Sequence, residues 1–149
     1  MSRNESNESS QSESSQSDQI MQLAVNGTLM RGLELNGNLL AVGAEFVRED
    51  STAPIYRLWS INDRHPAMLR VPTGGRSIAL EIWAVPAAGL GTLLWQEPPG
   101  LCIGKVQLQD GSIVLGVLGE PQLCEGQREI TEYGAWRQYQ NQKYQNQTP

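Results

Sequence analysis

Glycine and proline interrupt this chain so often that its apolar runs stay short. The 149 residues include 15 Gly and 8 Pro, and the stretch from residue 20 to 137 reads as brief hydrophobic segments separated by turn residues, the pattern of β-rich architecture. Residues 23–25 form a short buried first strand that ends in Asn26-Gly27. Residues 39–47 alternate weakly and predict a second strand. Residues 55–59 alternate cleanly, with Ile55, Arg57 and Trp59 on one side and Tyr56 and Leu58 on the other. Residues 67–71 predict another strand, stopped by Pro72 and Thr73-Gly74-Gly75. Residues 77–85 are apolar on both faces and so predict a central strand. After Pro86, the i, i+3, i+4 spacing of Leu90, Leu93 and Leu94 predicts a helix that ends at Glu97-Pro98-Pro99-Gly100. Residues 103–108 and 113–118 flank Asp110-Gly111, a strong hairpin signal. Thr131 suits the N-cap of a short helix in which Trp136 packs back onto the sheet. The expected fold is α+β: a small mixed β-barrel of six or seven strands, which hides its edges by closure, with one or two short helices.

Composition excludes several function classes. Lys plus Arg is 11 and Asp plus Glu is 16, a formal charge of −5. No basic cluster is present, which argues against nucleic acid as a partner. No apolar run approaches the roughly 20 residues of a membrane span, and Met1-Ser2-Arg3-Asn4-Glu5 lacks the apolar core of a signal peptide, so a cytoplasmic location is expected. Cys102, Cys124 and the single His65 are too few for a structural zinc site, and no cofactor motif occurs. Residues 1–19 hold eight serines and no Leu, Ile, Val or Phe, so a Ser/Glu-rich disordered tail is expected. One domain follows over 20–139. The duplicated Tyr-Gln-Asn-Gln near the end marks a Gln/Asn-rich tail over 140–149, which either continues a last helix or is loose. Tyr, Trp and Gln residues across 133–144 suit either a homodimer surface or a cover for the barrel.

Three places carry candidate chemistry. The first strand runs into Asn26-Gly27-Thr28-Leu29, where a glycine without Cβ permits close approach and successive free amides form a nest for a carboxylate or oxyanion. The same segment also reads as an ordinary turn. Glu81, on the central strand, needs a partner or a raised pKa, and Arg57 and Arg70 on neighbouring strands are its candidate partners and candidate ligand-binding cations. His65 precedes Pro66 and reads as a solvated turn residue rather than a base.

The segment Asn26-Gly27-Thr28-Leu29-Met30-Arg31-Gly32 resembles the signature loop of the γ-glutamyl cyclotransferase-like superfamily, usually Tyr-Gly-(Ser/Thr)-Leu. A wider resemblance, over residues 23–139, is to the C-terminal domain of allophanate hydrolase, which shares that fold. It rests on Ala53-Pro54-Ile55-Tyr56-Arg57-Leu58, on residues 78–86, on residues 101–111 and on residues 128–137. The amidase portion of allophanate hydrolase has no counterpart in this sequence.

The resemblance implies a small carboxylate ligand in urea or allophanate metabolism. It implies either action on an N-carboxycarbamate or the organisation of an amidase partner. The allophanate hydrolase domains carry a His two residues after the loop glycine, where this chain has Leu29, so a His-based decarboxylation does not carry over. The wider superfamily uses a Glu as general base after a helix, and Glu97 stands in the comparable region. That makes Glu97 a candidate catalytic residue, Glu81 a rival one, and Asn26, Gly27, Thr28 and Leu29 candidate ligand holders. Three readings stay open: the stand-alone allophanate hydrolase-type domain, a cyclotransferase based on Glu97, and a catalytically silent interaction module. All ligand readings require the loop amides to be free and to face a void.

Overall fold

The structure, a computed structural model, describes residues 19–147. The serine-rich segment expected to be disordered lies outside the described residues, apart from residue 19. The elements in chain order are β1 (Ile20–Val25), α1 (Asn36–Ala41), β2 (Glu45–Ser51), β3 (Tyr56–Ile61), β4 (His65–Arg70), β5 (Ala79–Pro86), α2 (Ala87–Gln96), β6 (Leu101–Gln107), β7 (Ile113–Gly119), α3 (Pro121–Cys124), β8 (Arg128–Glu129), a 3-10 turn (Thr131–Tyr133) and α4 (Trp136–Gln147). The α+β class is as expected. Among the described residues there are eight strands and four α-helices, more than the sequence suggested.

The strands form two sheets. One has the order β2-β5-β1-β7-β6 and the other β4-β3-β8. The central position of β5 follows from its two apolar faces: it pairs antiparallel with both β1 and β2. β1 pairs parallel with β7 through Leu23 and Ala24. β6 and β7 form the hairpin signalled by Asp110-Gly111, with Gly111 at a φ of 89°. The core lies between the sheets, with Leu23, Tyr56, Leu58, Ile78, Ile82 and Ile130 all fully buried.

The barrel is not closed. The outer strands β2 and β6 meet at one corner, where Thr52 bridges Leu108 and the Ala53 amide donates to the Gln107 carbonyl at 3.0 Å. Beyond that corner the second sheet takes over, because the Gln107 amide donates to the Tyr56 hydroxyl on β3 at 2.9 Å. A β6 edge group that a closed barrel would pair with β2 is instead satisfied by a side chain of the other sheet.

Two segments differ from expectation. Residues 39–47 are not one strand: α1 ends near Ala41, Gly43 takes a φ of 80°, and β2 begins at Glu45. Leu39 is buried and Leu40 exposed, so the short apolar run serves a helix face. Thr131 is no N-cap; it lies inside the 3-10 turn, and α4 starts only at Trp136. α4 then runs through the Gln/Asn-rich duplication to Gln147.

Two glycines set how closely the sheets approach. A Cβ on Gly27 would lie 2.5 Å from Cδ of Pro66, and one on Gly119 would lie 2.8 Å from the Ala67 Cβ. Both contacts are too short for real side chains, so β4 packs against the end of β1 and against β7 only because these positions lack a Cβ.

Thr131 fixes the other side of β3. Its hydroxyl accepts the buried Leu58 amide at 2.9 Å, and the Ile130 amide donates to the Leu58 carbonyl at 2.7 Å. Thr131→Val keeps the shape and strands the Leu58 N–H. A loss of about 1–3 kcal/mol in urea unfolding is expected.

Candidate functional site

In the loop after β1 the carbonyls of residues 27–29 are used and their amides are not. The Met30 amide donates to the Gly27 carbonyl at 3.0 Å, the Leu35 amide to the Thr28 carbonyl at 2.9 Å, and the Asn36 side chain to the Leu29 carbonyl at 2.9 Å. Among the described residues, no acceptor is found for the amides of Gly27, Thr28 and Leu29. The condition that the ligand readings required is therefore met in part. A void of about 20 Å³ borders this loop, walled by Val25, Asn26, Gly27, Thr28, Leu29, His65, Pro66, Glu97, Leu101 and Val117. That is room for one water-sized group. It is too small for a whole dicarboxylate.

A larger cleft of about 570 Å³ shares the Thr28, His65 and Glu97 walls and adds Glu34, Leu35, Arg64, Gln96, Pro98 and Pro99. Glu97 stands where the two spaces share a wall. It follows the last residue of α2, is half-buried, and its carboxylate has no hydrogen-bond or ion-pair partner among the described residues. Burial pushes its pKa up to about 7. Near neutral pH this group both donates and accepts protons.

His65 was missed by sequence reasoning. It opens β4 rather than lying in an exposed turn, is half-buried, and faces the void and the cleft. The turn is shorter than the sequence suggested and ends at Arg64; pairing of Ile61 with His65 begins the ladder. The strict hairpin spacing of 55–61 and 65–70 was the signal that could have placed it.

The other expected residues separate. Asn26 is buried, and its side-chain amide donates to the Val117 carbonyl at 3.0 Å, which commits that donor to the sheet beside the void. Gly27 meets Pro66 rather than a ligand, so its missing Cβ serves packing. Arg57 donates to the Gly74 carbonyl at 3.1 Å, and Arg70 is exposed. Neither lines the void or the cleft. They do not partner Glu81 either, because β3 and β4 belong to the other sheet.

Glu81 is buried, as its strand position predicted, and its partners come from elsewhere. Oε1 accepts from the Arg31 main chain and from Trp83 Nε1, each at 3.0 Å, while Oε2 accepts from Arg31 Nε at 3.1 Å and from Arg137 at 3.3 Å. Burial pushes its pKa up, but these hydrogen bonds outweigh it and hold the carboxyl below its usual value. Arg137 also donates to the Arg31 carbonyl. Glu81 is thus a saturated ion that fastens the loop, with no lone pair left over for proton transfer.

The sequence model of the Allophanate hydrolase C-terminal domain family matches residues 21–141. The chain belongs to the allophanate hydrolase C-terminal domain family. It is 30% identical to the urea amidolyase of Saccharomyces cerevisiae over 80% of its own length and 7% of that protein. Among solved structures, a uropathogenic Escherichia coli-specific protein is 61% identical, with a TM-score of 0.82 over 83% of this chain and 97% of that one. Kluyveromyces lactis allophanate hydrolase is 28% identical, with a TM-score of 0.79 over 83% of this chain and 21% of that one. The family domain is therefore a small part of the yeast enzymes it matches.

Two stability outcomes follow from the carboxylates. Glu81→Ala removes the shared acceptor of both arginines. It is expected to cost about 3 kcal/mol, the low end for a buried ion pair since both arginines reach water. The native Glu81 contribution is present above the ordinary carboxylate range and is lost as pH falls through its lowered pKa. Glu97 has the opposite sign. Its folded pKa of about 7 lies above the unfolded value of 4.5 through burial alone, so it costs nothing while both states are protonated, and its ionisation destabilises the fold increasingly as pH rises from 4.5 to about 7. Glu97→Gln should raise the unfolding midpoint at pH 8 and leave it unchanged at pH 4; equal shifts at both pH values would exclude the raised pKa.

Proposed function

We propose that this domain binds a small carboxylate of the N-carboxycarbamate type, as released by an amidase from allophanate, and that Glu97 assists loss of CO2 from it. The observation that carries this reading is the unpartnered carboxyl of Glu97, with a pKa raised to about 7, sharing a one-water void with three free loop amides and His65. Membership of the allophanate hydrolase C-terminal domain family supports the choice of substrate class.

The chemistry follows from where charge moves. As the N–CO2 bond breaks, its electron pair passes to nitrogen and spreads into the carboxylate that stays. Free amides at Gly27, Thr28 and Leu29 stabilise that growing charge on an oxygen lodged in the void. Protonated Glu97 delivers its proton to the nitrogen in the same step, so that carbamate and CO2 leave an ionised Glu97 that water reprotonates. A positioned general acid of this kind contributes about 10²–10⁴-fold. His65, on the opposite wall, supplies an imidazole in the site although Leu29 occupies the family's usual His position. The partner implied is an amidase, because the matched domain is 21% of K. lactis allophanate hydrolase and the amidase portion has no counterpart in the 149 residues.

The same carboxyl in its ionised form suits a second reading, in which Glu97 takes a proton from the amine of a γ-glutamyl compound. Allophanate supplied to an amidase, with this protein added, separates the two. Faster release of the second ammonia, lost in Glu97→Gln and declining as pH rises through 7, is expected for the acid role. No acceleration by the unaltered protein, together with turnover of a γ-glutamyl amine that increases with pH, would overturn the first reading in favour of the second.

A further inference from the structure

The outer cleft carries one Lys or Arg side chain on its wall, that of Arg64. Its guanidinium makes no hydrogen bond or ion pair among the described residues; Arg70, Arg76 and Lys105 also have no acidic partner there, but none of them lines the cleft. Glu34 lies on the same wall and is not paired with it. A free cation lining the cleft, which shares its Thr28 and Glu97 walls with the amide-lined void, suits a ligand with two carboxylates, one in each space.

The turn that presents Arg64 is strained and heavily braced. Asn62 and Asp63 have φ values of 53° and 58°, the only positive-φ residues other than glycine among the described residues. Both central residues at positive φ match the turn class that continues the twist of a hairpin. The Arg64 amide closes it on the Ile61 carbonyl at 2.9 Å. From behind, the Asn62 amide donates to the Gln127 side chain at 2.9 Å, and Gln127 donates back to Asn62 Oδ1 at 3.2 Å. Asp63 Oδ1 accepts from Tyr139 at 2.6 Å and from Ser60 at 2.7 Å, and Lys143 stands 3.6 Å from Oδ2. The Tyr139 hydroxyl, then Ser60, hold the Asp63 carboxyl below its ordinary pKa, so it stays ionised. Backbone strain of this kind persists where its surroundings over-determine it, and such positions cluster at ligand sites.

We propose that Arg64 anchors the outer carboxylate of the ligand, and that the Asp63–Tyr139 hydrogen bond is the positioning contact that holds the Asn62-Asp63 turn so that Arg64 faces the cleft. This rests on reading the cleft as a small-carboxylate site. Arg64 is a binding residue, and Tyr139, reached from α4, acts only through the turn.

Malonate is the probe, followed by the amide shifts of residues 27–29. The unaltered protein is expected to bind it, and Arg64→Gln to weaken binding by about tenfold or more, the value of a hydrogen-bonded charge. Arg64→Lys keeps the charge and loses the fork, and should fall between. Tyr139→Phe should weaken binding while the fold persists, and in that background Arg64→Gln should add less than it does alone; a merely structural tyrosine gives additive effects. Malonate binding that is equal in the unaltered protein and Arg64→Gln overturns the anchor and leaves the loop site standing. Additivity of the two substitutions overturns the positioning role. Failure of the unaltered protein to bind malonate overturns the small-carboxylate reading and the anchor together.

Discussion

A single buried carboxylate fixes the geometry of the loop. Glu81 sits on β5 between β1 and the edge strand β2 of the larger sheet, and water is replaced there by four hydrogen bonds from Arg31, Trp83 and Arg137. Two of the donors belong to one residue of the loop, main chain and side chain together. The far end of the loop is therefore tied to β5, and Arg137 ties α4 to the same point. The Arg31 guanidinium also stacks on Phe46, 3.7 Å from the ring centre, and Phe46 meets Trp83 edge to face. Burial of an ion is tolerated only with such full pairing. With Arg31 held, residues 27–30 close a tight turn between β1 and a fixed anchor, the Met30 amide on the Gly27 carbonyl, and the amides of residues 27–29 stay out of any internal ladder.

The opposite wall of the site comes from the second sheet. Pro66 and His65 enter over Gly27, and Ala67 settles over Gly119. Glu97 arrives separately, at the end of α2, where two prolines prevent the helix from continuing over it. The burial that raises its pKa is thus the work of three units far apart in sequence: the β1 loop, the β3–β4 hairpin and the α2–β6 connection.

Local signals were legible where local chemistry decided the outcome. Asp110-Gly111 gave the β6–β7 hairpin, the two apolar faces of residues 77–85 gave the central strand and the burial of Glu81, and the loop pattern with its ordered blocks gave the family. Sheet membership was not legible. Arg57 and Arg70 looked adjacent to Glu81 because strands close in sequence usually pair, yet β3 and β4 form a separate sheet and the true partners are 50 and 56 positions away. Residues 39–47 misled because a helical turn of six residues and a half-buried strand carry similar short apolar runs. His65 was hidden by Pro66, which reads as punctuation in one dimension and here packs into the site. Thr131 was assigned a helix-end role by its residue type, whereas a buried Leu58 amide across the core had the stronger claim on its hydroxyl.

The contact between Gly27 and Pro66 makes the void a seam between two layers. Neither sheet alone contains it, and its walls exist only while the layers are pressed together. Under the proposed reading, an anion seated there would touch both, so its occupancy and the docking of one sheet on the other would be thermodynamically linked: a ligand that fills the seam would also clamp the two layers together.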